Sequence, residues 1–225
     1  MSAHLIVLRT APGLSVQDLG RPGNMELGLS RGGAADRQGF IEGAALLGNP
    51  LDAAALEMSM GGARFETDAP ARFALSGARL RAMLNGSPLE TDASYRMVPG
   101  DVVDIGPAED GVYGYLHIAG GLLTDEELGG RGRHRIGGLG IDLADGDRLP
   151  LGTDPEPEAP PLRLQPDAPG AQPLRVIPGP QTGLFPAEVI DRFEATVFTR
   201  SPKGNRQGVR MDNGGTPFAT EAQLG

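Results

Sequence analysis

The chain contains no cysteine and no tryptophan. Without cysteine there is no disulfide framework, no thiolate nucleophile and no Cys-ligated zinc. Lysine is nearly as scarce. Of the 20 cationic residues only Lys203 is not arginine, and it sits in Ser201-Pro202-Lys203-Gly204-Asn205. That is not the Gly-Lys-Ser/Thr of a phosphate-cradling Walker loop. The histidines His4, His117 and His134 are too widely spaced to form a His-rich metal site. No apolar run reaches the roughly 18 residues of a membrane span, and Met1–Arg9 is too short and too soon charged for a secretory signal. The expectation is a soluble, cytoplasmic protein. Positive charge is also in deficit. Lys and Arg total 20 against 29 Asp and Glu, a net charge of −9, which argues against nucleic acid or an anionic membrane as the main partner.

What the chain has in excess is glycine and proline. Gly 35 and Pro 20 make 55 of 225 residues, roughly a quarter against an ordinary share of about an eighth. With 39% hydrophobic residues and no internal repeat, this composition fits a turn-dense fold of many short strands. His4–Arg9 reads as a strand. Phe40, Ile41, Ala44, Ala45 and Leu47 recur at helical spacing, with Asp36 as cap and Gly48 and Pro50 as stop. Gly39 and Gly43 inside that helix imply close packing against a neighbour. From Ala53 to about Leu151 strands dominate. Asn85-Gly86 is a hairpin signal, Asp110-Gly111 is expected to join Val102–Ile105 to Val112–Ala119 in a second hairpin or a longer version of one, and Asp145-Gly146-Asp147 marks another turn. Three divisions follow: a first domain over 1–152, a proline-rich linker over 153–173, and a second domain beginning at 174 and running to 225. In the last, Leu174–Ile177, Ala195–Arg200 and Val209–Met211 read as strands, and Pro186 opens a helix through Phe193.

Four places concentrate polar chemistry among small residues. Gln17-Asp18-Leu19-Gly20-Arg21-Pro22-Gly23 places an amide, a carboxylate and a guanidinium in one loop, fit either to orient a substrate or to brace a turn. Ser30-Arg31-Gly32-Gly33-Ala34-Ala35-Asp36 leads into a helix N-terminus, where backbone N–H groups receive an anion or only a cap. Gly129-Gly130-Arg131-Gly132-Arg133-His134-Arg135 is the densest cationic stretch. It reads as an anion-holding loop or as a counterweight to Asp125, Glu126 and Glu127. Glu57, between Leu56 and Met58, is the carboxylate expected to be half buried.

Taken in order, several segments resemble one family. They are Val16–Gly23, Gly33, Asp36 through Gly48-Asn49, Ala55-Leu56-Glu57, Ser76-Gly77-Ala78, Asn85-Gly86 and Pro99-Gly100-Asp101. Tyr115–Gly121, Leu128-Gly129-Gly130-Arg131, Gly146-Asp147 and Gly179-Pro180-Gln181 continue the series. The family is the biotin-dependent carboxyltransferase, or allophanate hydrolase subunit 2, family, whose bacterial members include the C-type subunit of 5-oxoprolinase. Gly204–Arg210 is similar to its Ser-Asp-Arg-Met-Gly-x-Arg motif, with the arginines kept and the neighbours changed. The family runs on past Gly225, so the expectation is one full barrel and the opening of a second.

The resemblance implies a mainly β fold, a cyclophilin-like β-barrel with a second barrel only partly represented and few short helices. It implies a subunit that works with a subunit-1-like partner, the B-type protein of 5-oxoprolinase. The implied activity is ATP-dependent opening of the lactam of 5-oxo-L-proline to L-glutamate, with ATP used in the complex. Two alternatives stand: a carboxyltransferase acting on urea or a similar small amide, with biotin on a partner chain, and a non-catalytic regulatory binding partner. Carried onto this sequence, Asp18, Asp36 and Glu57 are the expected catalytic groups. Gln17, Arg21, Arg131, Arg206 and Arg210 are the expected substrate contacts, and no metal site is expected.

Overall fold

The computed structural model describes residues 3–59, 61–165, 175–201, 204, 206, 208–215, 217 and 218. These fall into two compact units, Met1–Asp167 and Ala168–Gly225, each described by itself.

The first unit is built on a nine-stranded antiparallel sheet that curls on itself as a partial barrel. Its strands are β1 His4–Arg9, β2 Ser15–Gln17, β3 Ala55–Met58, β4 Arg64–Thr67, β5 Ala71–Leu84, β6 Ser87–Leu89, β7 Ala93–Met97, β8 Val102–Ile118 and β9 Arg148–Pro150. The order β2-β3-β8-β4-β1-β9 forms the main path, and β5 pairs with β6, β7 and β8 off it. The mainly β class expected from composition is therefore the observed one.

Alternation along β8 sorts its two faces. Leu116 and Ile118 join Leu5, Val7, Leu56, Phe65, Phe73 and Leu75 in the main core, where each such side chain contributes about 1.5–3 kcal/mol on full burial. Tyr115 and His117 point the other way, beneath helix α1, Arg37–Ala45.

The Asn85-Gly86 hairpin forms as expected, with both residues at positive φ (50° and 84°) between β5 and β6. The second expected hairpin does not. Asp110-Gly111 lies inside one 17-residue strand, β8, which pairs with β5 along almost its whole length. The register shifts between Gly77 and Ala82 absorb the extra residues, so the Asp-Gly signal marks an irregular, bulged stretch of ladder rather than a reversal.

Helix α1 starts where the sequence places it. Asp36 is the N-cap, its Oδ1 accepting from Gly39 N at 3.0 Å. Replacing Asp36 by alanine should cost about 1 kcal/mol, read as a small fall in urea midpoint with the slope unchanged. The other end is tied to the sheet by buried Asn49. Its Nδ2 donates to Ile118 O at 2.8 Å, and its Oδ1 accepts from Gly120 N at 2.8 Å.

The segment expected as linker from 153 is seated on this unit as far as Leu164. Arg72 forms a two-bond pair with Asp154 at 2.9 and 2.7 Å. Leu162 N donates to Ser94 Oγ, and Leu164 N to Asp92 O, both at 2.8 Å. Pro166, Pro169 and Pro173 lie outside the described residues.

The second unit contains α2 Ala187–Ala195 behind Pro186, and a short ladder of β10 Thr199–Arg200 with β11 Met211–Asp212. Phe193, Phe198 and Phe218 pack together with ring centroids 5.2–5.8 Å apart, and Arg192 stacks over Phe218. Arg175–Ile177, expected as strand, has no ladder partner among the described residues, and Leu174 lies outside them.

Candidate active site

Two loops of the first unit, residues 18–36 and 127–140, meet each other. What joins them is a pair of buried charges. Asp18 receives three backbone N–H groups: Gly20 on Oδ1 at 2.7 Å, and Arg131 and Gly132 on Oδ2 at 2.6 and 3.0 Å. Arg21, only 1% exposed, donates to three carbonyls, with Nε to Glu127 at 2.7 Å, Nη1 to Gly132 at 2.8 Å and Nη2 to Gly130 at 3.0 Å. Carboxylate and guanidinium thus grip opposite polarities of the same loop backbone, where charge assistance makes such bonds strong. The grip needs glycine at 130, because a Cβ there would stand 2.9 Å from Arg21 Cγ and 3.1 Å from Asp18 Oδ2.

Gln17 extends the grip, its Nε2 donating to Arg133 O at 3.3 Å while Arg133 N donates to Val16 O at 2.8 Å. Arg133 holds the loop's far side with a two-bond pair to Asp142 at 2.8 Å and a bond to Leu139 O at 2.8 Å. Arg131 is committed inwardly as well. Its Nη1 donates to Thr124 O, and its Nη2 lies 3.4 Å from Glu126.

A second cluster sits at the start of α1. The Glu57 carboxylate, 1% exposed, accepts from Ala35 N at 2.9 Å and from the Tyr115 hydroxyl at 3.0 Å. Tyr115 in turn accepts from Asp36 N at 2.8 Å. Burial first, and then the Glu57 charge, push the Tyr115 phenol well above its ordinary value, so it stays a neutral donor. The helix N-terminus that the sequence offered to an external anion is therefore occupied by the chain's own Glu57 and Asp36. Beyond it, Asp92 is raised above the usual carboxylate range, chiefly by burial and next by Glu42. The two clusters touch through Ala34, whose N–H donates to Asp18 O at 2.7 Å beside Ala35.

The structure thus gathers Gln17, Asp18, Arg21, Asp36, Glu57 and Arg131 into one connected region. Arg206 and Arg210 belong to the second unit. There both are exposed, and Arg210 O accepts from Ser201 N at 2.8 Å. Sequence reasoning missed Tyr115, the link between Glu57 and the helix cap. The available signal was its place on the β8 face that also carries His117, away from the main core.

The chain matches the family model of the carboxyltransferase domain, subdomain A and B, over residues 27–224. It is 30% identical to the C-type subunit of 5-oxoprolinase from Escherichia coli (strain K12), covering 98% of this chain and 72% of that one. The urea amidolyase of Lachancea kluyveri is 29% identical over 90% of the chain, which spans 12% of its length. Among solved structures, TTHA0988 superposes with a TM-score of 0.85 at 29% identity, covering 96% of this chain and 44% of that one. The K. lactis urea carboxylase superposes with a TM-score of 0.78 at 26% identity, covering 94% and 20%.

Proposed function

Because the chain belongs to the carboxyltransferase-domain family of subdomains A and B, we propose that it is one subunit of an ATP-dependent 5-oxoprolinase. A subunit-1-like partner of the B type completes the site, and the lactam of 5-oxo-L-proline is opened to L-glutamate. The observation that carries this reading is the pinned arginine loop. Asp18, Arg21 and Glu57, the charged groups most deeply buried here, spend themselves on this chain's own loop backbone and helix start. They build a rigid platform that shapes a pocket wall, and the wall opposite comes from another chain. Such preorganisation positions a substrate without reorganisation at the moment of reaction. Asp18, Asp36 and Glu57 thus act through the backbone they hold, while Gln17 and Arg21 fix the loop that carries Arg131.

Among the described residues no His, Asp and Glu cluster fits a divalent cation, and Arg21 is spent on three loop carbonyls. These residues do not by themselves fit a metal-bound triphosphate, so ATP is assigned to the assembled complex and no step is routed through it. No helix of the described residues is long and apolar enough to cross a membrane.

The likeness to the K. lactis urea carboxylase favours a second reading, a carboxyltransferase that receives CO₂ from biotin carried on a partner and passes it to urea or a similar amide. The two readings separate in one experiment. The chain is co-purified with its subunit-1-like partner, and glutamate release is followed with 5-oxo-L-proline and ATP. Release by the complex and none by this chain alone is expected. An intact complex that releases no glutamate, but holds a streptavidin-reactive partner and consumes urea with bicarbonate, establishes the second reading instead.

A further inference from the structure

His134 lies at the seam of the two loops and has been given a specific tautomer. Its Nδ1 accepts the Gly137 N–H at 3.0 Å, so in the neutral ring the proton resides on Nε2. That Nε2–H therefore donates to Ser30 Oγ, 3.0 Å away. The direction is opposite to that of a nucleophilic serine, whose hydroxyl gives its proton to the histidine. Here Ser30 Oγ is the acceptor, and its own O–H has no partner among the described residues. The imidazole is buried under Gly32, where a Cβ would stand 2.9 Å from its Cδ2, so the ring is held while Ser30 remains exposed. The next residue, exposed Arg31, uses only Nε among the described residues, donating to Leu19 O at 3.0 Å. Its two Nη groups enter no ion pair there.

We infer that Ser30, oriented by His134, and Arg31 form a donor-rich subsite for the acceptor oxygens of a small anionic amide. Ser30 is the substrate-contacting group, and His134 is a positioning residue. A hydroxyl proton and a guanidinium edge offer five-membered lactam carboxylates what they need, donors matched to acceptors with charge assistance. Urea carries no negative charge and is mostly N–H donors, so the same subsite discriminates against it. The inference deepens the 5-oxoprolinase reading and rests on it.

The test is calorimetric titration of 5-oxo-L-proline and of urea onto the co-purified complex, with Ser30→Ala, Ser30→Thr and Arg31→Gln. Ser30→Ala should weaken 5-oxo-L-proline binding about fivefold, Arg31→Gln about tenfold or more, and Ser30→Thr should restore affinity. Nitrogen-15 spectra of the labelled imidazole should show Nδ1 bare and Nε2 protonated, with Nε2 moving in Ser30→Ala. Unchanged affinity in both loss variants, an equal loss for urea, or the reverse tautomer overturns the subsite and leaves the 5-oxoprolinase reading standing. A wild-type complex that binds no 5-oxo-L-proline removes that reading, and the subsite with it.

Discussion

Replacing Asp18 by alanine is expected to lower the melting temperature by roughly 10 °C. The carboxylate serves three buried or half-buried N–H groups, those of Gly20, Arg131 and Gly132. Leaving a buried donor unsatisfied costs on the order of 1–3 kcal/mol, and more where the lost acceptor was charged. A total near 3–5 kcal/mol follows once local relaxation is allowed. The loss has a location as well as a size. Arg21 still holds the carbonyls of Glu127, Gly130 and Gly132, but the N–H groups of Arg131 and Gly132 then have no acceptor in place of Asp18. The loop over 129–135 should open locally before the sheet does. Trypsin should then cut at Arg131, Arg133 or Arg135 well before Arg72, Arg79 or Arg81 within β5. Differential scanning fluorimetry and limited proteolysis read the two effects separately. An unchanged melting temperature with an uncut loop would show that Asp18 does not pin it.

That dependence on backbone explains why the site is only half legible in the sequence. Gln17, Asp18, Arg21 and Arg131 stand out as polar groups among glycines, and so they are readable. What they bind is hidden, since the partners of Arg21 are main-chain carbonyls 106 to 111 residues away. No side-chain pattern announces a carbonyl. The His134 tautomer is hidden for the same reason, being set by the Gly137 N–H.

The fold shows the same division. Features written in local chemistry are legible: the Asp36 cap, the Asn85-Gly86 turn and β1. Asp110-Gly111 misleads because a dipeptide that tolerates positive φ serves a bulge as well as a hairpin. Only the pairing of β5 with β8 on both sides of it decides which. Gly39 and Gly43 do mark close approach, as their place in a helix implies. A Cβ on Gly39 would reach within 2.7 Å of Gly77 Cα, and one on Gly43 would overlap Ser76 Oγ and the His117 ring.

His117, on which Gly43 rests, gives the largest expected response to pH. It is fully buried between β8 and α1, with its ring centroid 4.7 Å from that of Phe40 and 6.2 Å from that of Tyr115. Among the described residues neither ring nitrogen has a hydrogen-bond partner, and the neighbouring Ser76 Oγ has none either. With nothing to receive a charge, burial pushes the imidazole pKa down from 6.5 to about 3. Above pH 6.5 the ring is neutral in both folded and unfolded chains, and its stabilising share is whole. Below that the unfolded chain takes up a proton that the folded chain refuses, so stability falls with pH until about 3. At about 1.4 kcal/mol per pH unit the loss across that window is roughly 4 kcal/mol.

Asp68, Asp142, Asp145 and Asp154 have carboxyls held below their ordinary 3.8, Asp68 and Asp145 mainly by backbone N–H donors, Asp142 and Asp154 mainly by arginine. Their contributions are lost at still lower pH, and Asp92, whose carboxyl is raised by burial, works in the opposite sense, so it is the difference between wild type and a His117 variant that isolates His117. Replacing His117 by leucine exchanges two unpaired polar atoms for apolar surface and should change stability at pH 7 by no more than about 1 kcal/mol. At pH 4 the variant should be more stable than the wild type by roughly 3 kcal/mol. Urea unfolding at pH 7, 6, 5 and 4 measures the difference directly. Parallel curves for the two proteins would mean that the buried imidazole accepts its proton without cost, and that the space beneath α1 admits water.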